Sequence, residues 1–180
     1  MIDTKKLNKW AKEIHDNATA HGWHEEKHSP EHYLALVMCE VAEAIEADRK
    51  DRKFIKCCCV PDDEQYFVGW YNEWVKGTVD EEFADIVIRL LDMAVELYGD
   101  KLIIEKTSEV GMFFKPFSSL ATNAYIFVRQ QIGESMINIE KSILFMYSWA
   151  EHLGIDLDQH IEWKMKYNET RPYKHGGKKY

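Results

Sequence analysis

The segment from Tyr33 to Ile45 constrains the fold most strongly, because only Glu40 and Glu43 among its thirteen residues are polar. A helix that is apolar on all sides is a buried helix. Its two carboxylates are three residues apart and therefore adjacent on one face. Burying them without a partner would cost several kcal/mol or force them to bind protons, whereas a cation would satisfy both. The segment predicts a core helix with a carboxylate pair that faces a cation.

The composition of the whole chain also favours helices. Its 180 residues include only 9 Gly and 4 Pro, which argues against a turn-rich sandwich or barrel. We expect a single domain over residues 1–180, folded as an all-α helical bundle of about five to six helices. The formal net charge of -8 disfavours a dedicated DNA-binding domain. Because no apolar run reaches the length of a membrane span and the N-terminus is too polar for a signal peptide, we expect a cytoplasmic protein.

Capping signals mark where the predicted helices begin. Asp3 precedes the first helix, Ser29 opens the second, and Thr78 with Glu81 forms a capping box for the third. Residues 49–77 contain an aromatic cluster and are expected to hold a short helix or a lid. The predicted helices cover residues 4–20, 29–48, 78–98, 119–132, 134–153 and 156–169.

The third predicted helix carries a second carboxylate pair at the same spacing, Glu82 and Asp85. Packing the second and third helices side by side would bring four carboxylates together, with no His or Cys among them. This hard oxygen set suits Mg2+ or Mn2+, with water or phosphate oxygens completing the coordination. The alternative is a solvated charge stripe along the helix, in which Arg89 pairs with Asp85 or Glu96. That stripe consists of Glu82, Asp85, Arg89, Asp92 and Glu96.

Other reactive side chains give weaker signals. Cys39 and the run from Cys57 to Cys59 are expected to be reduced thiols, and the run is either tolerated in a loop or sensitive to oxidants. Residues 164–180 carry six Lys or Arg and one acid, which indicates either a solvated basic end or a surface for a polyanion. No metal set is recognisable among His28, His32, His152 and His160.

Three motifs together resemble those of a known enzyme family. The EVAE sequence at 40–43 and the EFAD sequence at 82–85 are similar to the ExxE and ExxD motifs of the MazG-like all-α nucleoside triphosphate pyrophosphohydrolases. Lys164, Asn168 and Arg171, within KMKYNETRPYKHGGKKY, are similar to the closing Lys, Asn and Arg of that family. Three motifs in this order, each on a predicted helix or just after one, are more specific than any one of them.

The resemblance implies a four-helix core that hydrolyses a nucleoside triphosphate, including a deoxynucleotide or a modified one, to the monophosphate and pyrophosphate. It implies Mg2+, with Mn2+ as an alternative, held by Glu40, Glu43, Glu82 and Asp85. Glu43 would also orient or deprotonate the attacking water. The substrate-binding residues would be Lys164, Asn168 and Arg171 at the phosphates and Trp23 against the base.

The same resemblance implies a homodimer or homotetramer. From the negative net charge and the short apolar runs, we expect neither a nucleic-acid polymer nor a membrane as a partner. The interval between Glu43 and Glu82 holds 38 residues, which is longer than usual for the family. We therefore interpret residues 49–77 as an insertion into the MazG-like domain. The insertion contains the cysteine run and the aromatic cluster, and the resemblance assigns it no role.

Two other classes of protein also place carboxylates on helices. A ferritin-like di-iron bundle requires two inward-facing Glu-x-x-His pairs, and only Glu25 with His28 has that spacing, in the connection before the second helix. A non-catalytic helical module would use its acidic stripes to bind a partner. Dependence of activity on metal and on a nucleoside triphosphate separates these classes from the enzyme.

Overall fold

The regular structure is helical throughout the residues that the computed structural model describes, which are 2–56, 59–99, 120–131 and 137–177. Eight α-helices and no strand occur in these ranges, so the predicted all-α class is confirmed for the described part of the chain. The helices are α1 Thr4–Ala20, α2 Pro30–Arg49, α3 Glu64–Trp74, α4 Val79–Tyr98, α5 Leu120–Gln131, α6 Ile137–Leu153, α7 Leu157–Glu169 and α8 Lys174–Gly177.

Side-chain caps explain where four of these eight helices begin. The Asp3 carboxylate accepts hydrogen bonds from the first-turn amides of α1, and the Thr78 hydroxyl accepts one from the amide of Glu81 at 3.2 Å. Asp156 caps α7 in the same way. Ser29 lies at the predicted start of α2, but its side chain makes no capping bond among the described residues. The observed bounds of α1, α2, α4, α5 and α7 agree with the predicted ones to within one residue.

Helix α4 is the central helix of the bundle. It packs against α1, α2, α6 and α7, and its side chains are buried on nearly every side. Phe83, Leu90 and Leu91 are fully buried. Because α4 is surrounded, the carboxylates on it cannot all point to bulk water, and they face the gaps between α4 and its neighbours.

The prediction that α2 is buried on every side is wrong for the single chain. Val37 and Val41 are buried, but Met38 is 42% exposed, and Cys39 and Ala42 are exposed as well. The reason is that, within the described residues, α2 packs only against α4 and α5 and leaves one face uncovered. The hydrophobicity of a helix indicates how much apolar surface is to be buried, but it does not identify the element that packs against that surface.

The region predicted as a short helix or a lid contains α3. Phe67 and Tyr71 of α3 form a second, smaller core with Tyr167 of α7, whose ring stacks on that of Tyr71 at 4.4 Å. The count of helices exceeds the predicted five to six because α3 and the single turn α8 are added.

Cys39 and Cys59 are exposed free thiols, as expected, whereas Cys57 and Cys58 lie outside the described residues. Across the described ranges, no helix is both long enough and apolar enough to cross a membrane.

Candidate functional site

A cavity of about 500 Å3 opens between α1, α2, α4 and α7. Its volume lies in the range of small-molecule sites, roughly 300–1,000 Å3. All eight residues predicted from the sequence to bind metal or substrate line it, although they come from four separate segments of the chain. These are Trp23, Glu40, Glu43, Glu82, Asp85, Lys164, Asn168 and Arg171.

Three of the four predicted metal ligands converge tightly. Glu40, Glu82 and Asp85 each place one carboxylate oxygen within 4.8 Å of the others, because α2 packs directly on α4. Glu40 and Glu82 are buried. Glu43 lies on the wall of the same cavity but is exposed and outside this tight cluster. The structure thus separates the predicted four-carboxylate set into a buried triplet and one more accessible carboxylate.

Glu82 is the least compensated member of the triplet. It is 5% exposed, and its Oε2 is buried without a hydrogen-bond partner in the described part of the chain. Burial, followed by the charges of Asp85 and Glu81, raises the pKa of Glu82 to about 9. A buried carboxylate with an unpaired oxygen gains stability from a proton or a cation. With three carboxylates around it, this position fits a hard divalent cation such as Mg2+.

Lys164 occupies a different position from the one predicted. Its Nζ lies 2.6 Å from Oε1 of Glu81 and 2.5 Å from Oδ2 of Asp85, and the residue is only 7% exposed. Burial alone would lower the pKa of Lys164, but these two carboxylates outweigh burial and raise it. Lys164 therefore compensates two acids in the cavity wall, and its ammonium is not free to reach a phosphate.

Glu81 is the site residue that sequence reasoning missed. Its spacing from Thr78 predicted only a capping box, in which its carboxylate would return to the Thr78 amide. In the structure Glu81 is buried, and its carboxylate accepts hydrogen bonds from Tyr71 Oη at 3.0 Å and from the Gly77 amide. A capping-box glutamate is ordinarily exposed. The sequence around Glu81 therefore carried no sign of its bond to Lys164.

Except for Glu96, the residues of the predicted solvated stripe on α4 line the cavity. Glu82 and Asp92 are buried. Arg89 pairs with neither predicted partner but reaches across to α2, where its Nε lies 3.0 Å from Oε1 of Glu40. This ion pair links the two motif helices and leaves the other oxygen of Glu40 for another partner.

The C-terminal segment completes the cavity because it is anchored to the connection between α1 and α2. Nε2 of His21 lies 2.9 Å from the carbonyl oxygen of Arg171, and Lys174 pairs with Glu25 at 2.8 Å. Among the described residues, the Arg171 guanidinium has no carboxylate partner. A cationic group therefore stands at the cavity wall without a carboxylate to neutralise it.

Two further predicted residues lie beside this segment. Oδ1 of Asn168 is buried and lacks a hydrogen-bond partner in the ranges described. The ring of Trp23 meets that of His175 edge-on at 4.9 Å, and both residues line the cavity. The Asn168 amide can hydrogen-bond a polar group of a ligand, and the Trp23 ring can contact a flat one.

Comparison of the chain with known protein families, with curated proteins and with solved structures found no match. The functional assignment consequently rests on the motifs and on the geometry of the cavity.

Proposed function

We propose that this chain is a Mg2+-dependent nucleoside triphosphate pyrophosphohydrolase of the MazG-like kind. The observation that carries the proposal is the convergence of all seven motif residues, together with Trp23, on one cavity. Four segments far apart in sequence have no reason to meet in this way if their charges are merely solvated. The cavity combines a buried acidic end with the cationic Arg171, as a metal-bound polyphosphate requires.

Glu40, Glu82 and Asp85 are the residues that would hold Mg2+ or Mn2+. The unpaired oxygen of Glu82 and the all-oxygen composition of the cluster support this choice. Such an ion, when bound, would neutralise charge on the phosphate oxygens. Lys164 pairs with Asp85 and Arg89 pairs with Glu40, and these ion pairs restrict the conformations of two of the three carboxylates.

Glu43 is suited to act as the general base, because it lines the cavity beside the triplet and is exposed to water. Its carboxylate would accept a proton from the attacking water, whose oxygen bonds to the α phosphorus. The bond from the α phosphorus to the bridging oxygen then breaks, and pyrophosphate leaves with that electron pair. Arg171 would bind two oxygens of the leaving pyrophosphate, Asn168 would hydrogen-bond a phosphate or sugar, and Trp23 would contact the base.

A panel of standard and modified nucleoside triphosphates, assayed for pyrophosphate with Mg2+, tests the proposal. We expect at least one substrate to yield the monophosphate and pyrophosphate in equal amounts. Glu43→Gln should lower kcat by about 100-fold or more, since a general base contributes roughly 10²–10⁴-fold. Glu46→Gln, an exposed change one turn further along α2, should leave kcat unchanged.

The non-catalytic alternative gives a different result. If no member of the panel yields pyrophosphate from folded, Mg2+-saturated protein, the enzymatic proposal fails. Equal kcat values for Glu43→Gln and Glu46→Gln would retain the activity but remove Glu43 from the mechanism.

Stabilisation of the fold by Mg2+ should increase with pH. The pKa of Glu82 is about 9 in the folded chain against 4.5 for an ordinary glutamate, so the metal-free folded state retains a proton that the unfolded state loses. The free energy of unfolding of the metal-free chain therefore falls as pH rises from about 4.5 to about 9. Mg2+ binds the ionised carboxylate, so the increase in Tm on adding millimolar Mg2+ should be larger at pH 8.5 than at pH 6.5. Equal increases at both pH values would contradict a protonated Glu82.

As part of the same proposal, the enzyme is a homodimer or homotetramer that covers the exposed face of α2. Met38 and Ala42 on that face are exposed, since α2 packs only against α4 and α5 within the described residues. Light scattering after size exclusion should give a multiple of the chain mass of 21.2 kDa. Ala42→Arg should shift the mass toward the monomer, whereas Tyr66→Arg, on an exposed aromatic residue of α3, should not. A monomeric mass for the unchanged chain would refute this part of the proposal.

A further inference from the structure

A second cluster of potential metal ligands lies on the C-terminal half of α4, apart from the carboxylate triplet. It consists of His15 on α1, His24 in the connection that follows α1, and Asp92 and Glu96 one turn apart on α4. His15, His24 and Glu96 each place one ligand atom within 4.8 Å of the others. The motifs and the proposed mechanism use none of these four residues.

One oxygen of Asp92 orients both imidazoles. Its Oδ1 lies 2.9 Å from Nδ1 of His15 and 2.8 Å from Nε2 of His24. A carboxylate oxygen only accepts hydrogen bonds, so each imidazole donates an N–H to Asp92. In a neutral imidazole the proton on that nitrogen leaves a lone pair on the other one. Asp92 thus directs the lone pairs of His15 Nε2 and His24 Nδ1 away from itself.

Both of these nitrogens lie close to Glu96. Its Oε2 lies 3.3 Å from Nδ1 of His24 and 3.8 Å from Nε2 of His15. Two ligands bound to one tetrahedral ion at about 2.1 Å are roughly 3.4 Å apart, so these separations suit a shared ion. A carboxylate behind a ligating histidine is also the usual arrangement at protein metal centres.

An unsatisfied buried atom points to a ligand at this position. The His24 side chain is 5% exposed, and its Nδ1 has no hydrogen-bond partner among the described residues although Glu96 is close. Oε2 of Glu96 lies 3.3 Å from Nδ1, just beyond the usual hydrogen-bond range of about 2.7–3.2 Å, and the two atoms form no hydrogen bond. A lone pair on Nδ1 directed toward an ion accounts for its lack of a partner.

We propose that His15, His24 and Glu96 form a Zn2+ site, with Asp92 as the residue that orients the two histidines. Two imidazole nitrogens and one carboxylate oxygen are a borderline donor set that favours Zn2+ over Mg2+, in contrast to the all-oxygen triplet. A second cavity of about 330 Å3 lies beside His24 and is also lined by Asp92 and Tyr33. The ion would tie the connection after α1 to α4, independently of the proposed hydrolysis.

Titration of the chelator-treated full chain with Zn2+, in excess Mg2+, tests the proposal without any turnover. We expect one Zn2+ per chain by calorimetry and a tetrahedral visible absorption spectrum when Co2+ replaces Zn2+. His24→Gln and Glu96→Gln should each weaken Zn2+ binding by about 100-fold or more, and Asp92→Asn by about 10–100-fold. His28→Gln changes a neighbouring histidine outside the cluster and should leave the affinity unchanged.

Other sites for the ion give distinguishable outcomes. Loss of Zn2+ binding in Glu82→Gln, or on replacing Cys57, Cys58 and Cys59 with Ser, with full binding retained in His24→Gln, would overturn the proposal. So would the absence of Zn2+ binding in the unchanged chain. If His24→Gln does not fold, His15→Gln, on a half-buried side chain, provides the same comparison. None of these results depends on whether the chain hydrolyses nucleotides.

Discussion

Glu82→Gln is expected to abolish pyrophosphate release and at the same time to stabilise the metal-free fold. Removing the charge takes one ligand from the Glu40, Glu82 and Asp85 cluster, so kcat with Mg2+ should fall by about 100-fold or more. The pKa of Glu82 is raised because the side chain is buried beside Asp85 and Glu81, so at pH 8 the metal-free fold must take up a proton that the unfolded chain lacks. A neutral glutamine of the same shape removes that cost. At pH 8 we expect the Tm of the metal-free variant to exceed that of the unchanged chain by about 2–4 °C, or about 1 kcal/mol.

The opposite signs of these two effects make the test specific. A residue that only supports the fold would lose stability and activity together, whereas a functional carboxylate held in an unfavourable environment loses activity and gains stability. The increase in Tm on adding Mg2+ should also shrink in Glu82→Gln. Glu46→Gln, on the exposed side of α2, should change neither kcat nor the Tm of the metal-free chain. Lower stability of metal-free Glu82→Gln would show that the carboxylate has a structural partner.

Lys164→Met is expected to destabilise the fold by about 3–5 kcal/mol, the usual effect of removing one partner of a buried ion pair. The ammonium lies against both Glu81 and Asp85, and all three side chains are largely shielded from water. Without it, two buried carboxylates repel each other and must take up protons. Urea unfolding followed by circular dichroism would measure the change.

A second substitution shows whether Lys164→Met lowers the free energy of unfolding because it removes a charge. Lys164→Met combined with Asp85→Asn should recover part of the free energy of unfolding, because one uncompensated acid is removed. Lys166→Met, two residues further on in α7, removes a cation that lies 4.2 Å from the Phe67 ring and should cost only about 0.5–1 kcal/mol. If Lys164→Met and Lys166→Met are equally stable, Lys164 does not compensate the buried acids.

Much of the architecture follows from local sequence patterns. The capping residues Asp3, Thr78 and Asp156 and the 3.6-residue spacing of apolar side chains predict α1, α2, α4, α6 and α7 within a few residues, because both signals act inside one helix. The same spacing places Glu40 beside Glu43, and Glu82 beside Asp85. The candidate ligands could therefore be named before any tertiary contact was known.

The partners of the charged residues could not be predicted in the same way. Arg89 had two acidic neighbours on its own helix, yet it pairs with Glu40, which is 49 residues away in sequence. The resemblance places Lys164 at the substrate phosphates, whereas its ammonium pairs with Glu81 and Asp85. The partner of each charged side chain depends on which helices pack against each other. It also depends on how little water reaches the interface between those helices.

The sequence by itself determined an all-helical chain, two acidic pairs on two apolar helices, and a basic C-terminal segment, since each is a property of consecutive residues. Only the tertiary structure decided that three of the acids converge while Glu43 stays exposed, and that α4 rather than α2 is the central helix. It also brought His15 and His24 together with Glu96, about 70 residues further along the chain. The physical reason is that burial and the meeting of side chains from distant segments arise from helix packing, which no local pattern specifies.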